Sequence, residues 1–488
     1  MSKRNEQQSD KCWDVIVVGG GAAGLMAAIQ AARGGARVLI LEHMERPGKK
    51  LLMTGNGKCN FTNEAFFKFD FRELQGETAC EQYYHGACPA FVLPAIKNFD
   101  MISTLNFFAD LGIASVKRRG GYYPAGGQAA GVLSALLMEC WRLGVEIQCE
   151  IGIRSIQKAK KNYNNRQHPA DQKTGDTTFV IDTKSGTYIA RRCILATGGK
   201  SYKKTGSDGS GFLYAKRLGH RITDVVPALV PLQSDLSFFK KTAGIRAEIS
   251  AKIFIDEKLS GCESGELQLT DYGISGICIF QISYLAAHAL QKGQSVRVEL
   301  DFLPEQIEEA TCGLFMDRAA STYASGKTMA QCMIGLFADK LGVALLEEAG
   351  ISPTQMCKKL SKGQAGKLAK TIKHFSVPVT APRSFEQAQV TAGGVDTAQV
   401  VAETLESRLV PGLYFAGEML DVDGICGGFN LQWAWSSGAV AGMSAAESLS
   451  MNRRTSSGKQ AEHIRQQSGH AMNEKLRDKG LSIKGVDR

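Results

Sequence analysis

The sequence predicts an α/β fold in which both ends of the chain build one domain around a β-rich insertion carrying a helical subdomain. Three observations predict it. A short apolar run, Trp13 to Val18, leads straight into a glycine cluster and a helical stretch. A second strand ending in glycine, Gly412 to Gly417, and a closing helical stretch come only after residue 400. Between them the pattern shifts to alternating strands and then to helical spacing rich in Ala, Leu, Met, Lys and Glu. The expected division is a disordered leader at 1–11, a first domain at 12–203 and 380–450, a β-rich insertion at 204–303, its helical subdomain at 304–379, and a basic polar tail at 451–488.

The elements follow in order. Trp13 to Val18 (WDVIVV) has the β-branched, unbroken apolarity of a strand buried in a parallel sheet. Leu25 to Arg33 is helical, and Arg37 to Leu41 (RVLIL) is a second buried strand ending at Glu42, which completes a βαβ unit. Ala87 to Leu111 and Ala129 to Leu143 have helical spacing. Val145 to Ile156, Thr178 to Thr183, Tyr188 to Ala190 and Cys193 to Ala196 are expected as strands, the last closing on Thr197-Gly198-Gly199. Leu229 to Leu303 alternates in short strands, and Pro304 to Phe375 is helical. Ala388 to Val395 and Gly412 to Ala416 return to strands before a helix at about Leu431 to Leu449.

Composition narrows the class. With 488 residues, 44% hydrophobic and 22% charged, the chain is neither disordered nor a small disulfide-stapled domain. No run approaches the ~18 apolar residues of a membrane span. Thirteen cysteines, none in a Cys-x-x-Cys pair, argue against zinc and iron–sulfur sites and fit a reducing cytoplasm; no metal is expected. The net charge of +10 is uneven. Residues 451–488 carry nine basic and four acidic residues, and Lys158 to Asp176 carries five and two, so most of the excess lies on two peripheral segments. That reads first as solvated charge, and second as a surface for RNA.

The motif with most chemical content is Gly19-x-Gly21-x-x-Gly24 between strand and helix, with Glu42 closing the next strand. The first glycine permits a tight turn, the second lets backbone approach a pyrophosphate, and the third permits close helix–strand packing. Ala22 and Ala23 open the helix, whose free N–H groups and positive end attract phosphate. Glu42 is placed to accept hydrogen bonds from ribose hydroxyls. This is a Rossmann-like dinucleotide site. Gly412 to Glu418, a strand ending in Gly417 and Glu418, has the form FAD enzymes use to hold a ribityl chain, so FAD fits the fingerprint. Gly206-x-x-Gly209-x-Gly211 has neither the spacing nor the preceding strand of a second site, so NADH or NADPH would visit transiently as electron donor.

Four segments then resemble the BaiN-like (BaiN/RdsA) family of NAD(P)/FAD-dependent oxidoreductases: Pro47 to Asn63, Leu195 to Gly211, Ala388 to Val395 and Gly412 to Gly438. The resemblance implies an FAD-binding Rossmann-like domain assembled from both chain ends. It also implies cofactor contacts from Lys50, Thr54, Gly55, Asn56, Cys59, Asn60, Thr197, Gly198 and Gly199. Two activities are relevant within the family: reduction of steroid enones in bile-acid dehydroxylation, and reduction of uridine in ribosomal RNA. Both saturate a C=C bond conjugated to a carbonyl.

That chemistry needs a hydride, a proton and a donor for the developing enolate. Gly427, Gly428, Phe429 and Asn430 sit just before the last helix, which begins at about Leu431 and whose positive end would favour an anionic reduced flavin. Cys59 reads as a proton donor or, more simply, as a small thiol packed behind the cofactor; Asn60 reads as a hydrogen-bond partner of flavin or substrate. Arg118, Arg119, Tyr122 and Tyr123 read equally as a group binding an anion or enolate and as an exposed basic turn. His220 is expected in the core or at a cap, Asp421 and Asp423 on ribityl or ribose hydroxyls, and Trp433 and Trp435 in packing. The expected function is an FAD-dependent reductase of an activated double bond in a small molecule. The alternatives are a ribosomal RNA uridine reductase and a non-catalytic redox sensor.

Overall fold

The computed structural model describes residues 12–68, 80–159 and 178–450; the expected leader and tail, and nearly all of the basic loop, lie outside them. The first domain is built on a parallel sheet. From Val15 to Val18 and from Val38 to Leu41 every residue is buried, as expected for strands covered on both faces. Across the sheet the order is Glu146–Gln148, Val38–Leu41, Cys12–Val18 and Thr187–Leu195, with Leu413–Phe415 beside the second half of the last. An antiparallel pair, Phe179–Thr183 and Ile153–Lys158, extends it from the first half. The single strand expected over 145–156 is thus divided, because Glu150 turns the backbone into the left-handed region at φ 60°.

Register decides where function can sit. Val18 lies opposite Leu41 and Leu195, and Leu195 opposite Phe415, so four parallel strands end together at one carboxyl edge. Open α/β sheets hold ligands in the crevice outside that edge. The helix Ala22–Arg33 covers one face, and the closing helix, 429–450, lies against it. Two glycines make the approach possible: a Cβ at Gly438 or Gly442 would stand 2.4 and 2.2 Å from the carbonyl oxygens of Ala23 and Ala27.

The insertion is an antiparallel sheet in the order Phe375–Pro378, Val296–Asp301, Arg246–Ile255, Lys258–Thr270, Gly273–Gly276, Leu232–Gln233 and Ala381–Pro382. In Val296–Asp301 buried and half-buried residues alternate, one face toward the core. The helices Glu308–Ala320, Asp339–Glu348 and Lys362–Lys373 share that same core rather than forming a separate one, because their apolar stripes have no other surface to cover. The boundary also shifts. Ser210–Arg217 buries Phe212 and Ala215 in the first domain's core, so the chain crosses at the paired strands Val226–Ala228 and Val390–Ala392 rather than at 204 and 380. A small third core, with Val226, Ala228, Ala287 and Val390, fills this junction. Among the described residues no helix is long and apolar enough to cross a membrane.

Candidate functional site

A cleft of about 1240 Å³, including space open to solvent, lies at the carboxyl edge of the parallel sheet. Its walls come from both ends of the chain. Gly19, Gly21, Ala22, Ala23, Glu42, Lys50 and Thr54 line it from one end, and Gly417, Glu418, Asn430 and Leu431 from the other; Thr197 and Gly198 lie between.

The three glycines of the turn do different work. Gly19 sits at φ 102°, and a Cβ there would meet the Ala196 carbonyl oxygen at 2.5 Å. A Cβ on Gly24 would lie 2.0 Å from the Gly19 carbonyl oxygen, so this glycine serves helix–strand packing and does not line the cleft. At Gly21 nothing stands within 4 Å, and its φ of −78° is open to any residue. A ligand pressed against the backbone would give that position a reason to be glycine.

Glu42 is buried and braced before any ligand arrives. The N–H groups of Gly20 and Met44 donate to its two carboxylate oxygens, each at 2.8 Å, and His43 Nδ1 lies 3.3 Å away. Glu418 is busier still. Lys50 Nζ lies 2.7 Å from it, Ser201 Oγ donates at 3.0 Å, and the N–H groups of Thr391 and Gly199 donate at 2.7 and 3.3 Å. The carboxylate expected on a ribityl chain is therefore first a rivet joining three segments, with Lys50 as its counter-ion.

The closing helix begins after Gly427 and Gly428, both at positive φ; a Cβ on Gly428 would come 2.8 Å from the Thr62 carbonyl oxygen. Asn430 lines the cleft, but its amide is spent on Gly424, accepting from the N–H at 2.8 Å and donating to the carbonyl at 2.6 Å. Trp433 Nε1 donates to the Gly417 carbonyl at 3.1 Å and Trp435 Nε1 to that of Phe61 at 3.2 Å, so both buried indoles pack and tether as expected. Phe429 is buried behind the turn, stacked on Tyr83 at 4.9 Å.

Several expected contacts do not line the cleft. Gly55, Asn56 and Cys59 lie in a left-handed loop beside Thr54, and Gly199 packs on Thr391. Cys59 is fully buried in the first core, where burial pushes its thiol up to about 12, and it packs there without lining the cleft. Arg119 is the left-handed tip of the hairpin formed by Ser115–Arg118 and Gly121–Pro124; it and Arg118 are exposed, while Tyr122 and Tyr123 are half-buried away from the cleft. His220 is a core residue, its Nε2 2.8 Å from Ser407 Oγ, with burial lowering its pKa. Asp421 and Asp423 are buried facing the 85–87 segment rather than the cleft.

The sequence reading also passed over part of the wall. Thr205, Gly206, Ser207, Ser210 and Tyr214 close the cleft near His43. The glycine-rich run dismissed as a second fingerprint was their signal. Arg46 lines the same end and has no ion-pair partner among the described residues, leaving its charge for an anion.

The residues fit a dinucleotide flavin. Gly21 leaves room for a phosphate, and Asn60 Oδ1 and Thr62 Oγ1 are buried beside Gly428 without hydrogen-bond partners among the described residues. Comparison with known proteins decides the class. The family model described as HI0933-like protein Rossmann domain matches residues 13–444. The chain belongs to this family. It is an FAD-dependent oxidoreductase with a Rossmann-type fold. It is 41% identical over 437 residues to the 3-dehydro-bile acid delta(4,6)-reductase of Clostridium scindens, covering 88% of this chain and 98% of that one. It is 29% identical to the ribosomal RNA dihydrouridine synthase of Haemophilus influenzae, covering 88% and 97%, and 28% identical to that of Escherichia coli, covering 87% and 96%.

Proposed function

We propose that this oxidoreductase is a cytoplasmic, NAD(P)H-fed reductase of a carbonyl-conjugated C=C bond in a small molecule of the steroid or bile-acid enone class. What carries the reading is the 41% identity spanning 98% of the bile-acid reductase. Bound FAD supplies hydride chemistry. The chain's own residues bind and orient. Gly19, Gly21, Ala22 and Ala23 receive the pyrophosphate at the helix N-terminus, Glu42 accepts from the adenosine ribose, and Arg46 offsets phosphate charge. Thr197, Gly198 and Gly417 would border the ribityl chain, and the unpartnered Asn60 Oδ1, buried beside the cleft-closing turn at Gly428, would be available to a ring N–H. The start of the 429–450 helix stabilises negative charge on the reduced ring.

The purified protein is expected to be yellow, with absorbance near ~370 and ~450 nm. NADH or NADPH should bleach it anaerobically, and a steroid 4,6-dien-3-one should restore the colour. No bleaching by either donor overturns the reading. A second reading, uridine reduction in ribosomal RNA, is supported by the two dihydrouridine synthases. If unmodified ribosomal RNA and not the dienone restores the colour, with retention falling steeply as salt rises, the second reading replaces the first.

A further inference from the structure

The junction between the two domains holds a polar aromatic cluster that the cofactor cleft does not use. The strand Tyr84–His85 pairs antiparallel with Asp423–Gly424, setting His85 directly opposite Asp423. His85 Nδ1 lies 3.0 Å from Asp423 Oδ2, and the carboxylate is only 2% exposed. A carboxylate can only accept, so Nδ1 carries the hydrogen and Nε2 is left to exchange a proton. From the other domain the helix Ile277–Gln291 brings Tyr284, whose ring stacks on His85 with centroids 3.8 Å apart and planes at 16°. One turn on, His288 sits on the same face.

Three features suggest a ligand rather than simple packing. His85, Tyr284 and His288 are half-buried, and their outer polar atoms, beyond the His85 Nδ1 bond to Asp423, stay open to solvent or a ligand. The cluster forms only where the two domains meet, a common place for small-molecule sites. It also borders the cleft: Val422, next to Asp423, lines the cleft, and so does Val390, a member of the junction core against which Tyr284 packs.

We propose that His85, oriented by Asp423, and Tyr284 form the polar end of the substrate compartment, Tyr284 holding the substrate carbonyl and His85 delivering the proton. This deepens, and rests on, the reductase reading above. As the His85 Nε2–H bond breaks, its electrons stay on the ring and the proton joins the carbon α to the carbonyl. The β-carbon gains a hydride with its two electrons from the reduced cofactor, so H2 adds across the double bond. Water then reprotonates the ring.

The surrounding charges suit these roles. Burial, with Asp423 and Glu263 beside it, pushes the Tyr284 phenol up to about 12, so it remains a donor at working pH. Burial lowers His288 despite Asp423 and Asp224, with Lys292 and His85 adding to the drop, which keeps it a neutral neighbour. Glu263, on the strand Lys258–Thr270, also faces His85. Asp423 is thus a positioning residue and His85 the catalytic acid.

The test uses the FAD-loaded full chain. Titration with a steroid 4-en-3-one is followed by perturbation of flavin absorbance, and turnover of the dienone is measured. His85→Gln and Tyr284→Phe are expected to retain FAD and to weaken ketone binding at least about tenfold. His85→Gln should slow turnover about 10²–10⁴-fold. Wild-type binding without turnover, with binding lost in both variants, sinks the reductase reading and keeps the site. Unchanged ketone affinity in both variants, or wild-type turnover in His85→Gln, overturns the proposal.

Discussion

A glycine tells more by what its missing Cβ would touch than by being glycine. Gly24 is glycine because the fold requires it: 2.0 Å from a carbonyl oxygen leaves no room. Gly21 is glycine with open space around it, so the requirement comes from what binds there. The two substitutions should therefore separate folding from binding. Gly24→Ala is expected to destabilise the cofactor-free protein by ~1–3 kcal/mol through overpacking, lowering Tm by roughly 2–12 °C at the usual ~2–4 °C per kcal/mol for large domains. Gly21→Ala should leave the cofactor-free Tm within a degree or so and reduce FAD affinity at least about tenfold. Calorimetry on stripped protein and FAD titration check both; equal losses of Tm would refute the distinction. Cys59 and Glu418 teach the complementary lesson. Residues that look reactive in a motif can be occupied by structure, one by burial and one by four partners.

Helix pairs bring the two chain ends together. The crossing of Ala22–Arg33 by the 429–450 helix depends on Gly438 and Gly442. Helix propensity alone says that Gly442→Leu stabilises by up to ~1 kcal/mol, whereas the 2.2 Å approach to Ala27 says the helices must separate. We expect Tm and bound FAD to fall together in that variant; a rise in Tm would show that the crossing has slack. A second link ties Ala22–Arg33 to Ala129–Arg142. The Glu139 side chain, 5% exposed, lies 2.7 Å from both Arg142 Nε and Arg33 Nη2, and these guanidiniums, Arg142 foremost, hold its carboxyl down to about 2. Its folded pKa is below the ~4.3 of an unfolded glutamate, so its stabilisation is complete above that pH and is lost as pH falls toward about 2. Glu139→Gln should melt lower than wild type at pH 7 and lose less Tm between pH ~4.5 and ~2. Parallel melting curves across that window would remove Glu139 from the acid response.

At the scale of the molecule, the cleft exists only because four strand ends align and a distant helix returns to close it. FAD should therefore slow amide exchange in 19–25 and 430–434 together, while Lys362–Lys373, deep in the insertion's core, is unaffected. Protection at one end alone would contradict a shared site. Local chemistry made much of this legible in the primary structure. The βαβ glycine turn, the Glu42 strand end, the return of the pattern near Gly412 and the closing helix depend on neighbours in sequence, where periodicity and backbone freedom speak directly. The boundary of the insertion, the sharing of one core by its sheet and helices, and the pairing of His85 with Asp423 and Tyr284 were not legible. Each joins residues tens to hundreds of positions apart, and which polar group meets which is set by strand register and domain docking. The sequence by itself determined what kind of enzyme this is and where its glycine turn joins strand to helix. Only the tertiary structure decided which side chains remain free to act on a substrate, because a side chain's freedom depends on the partners that folding supplies.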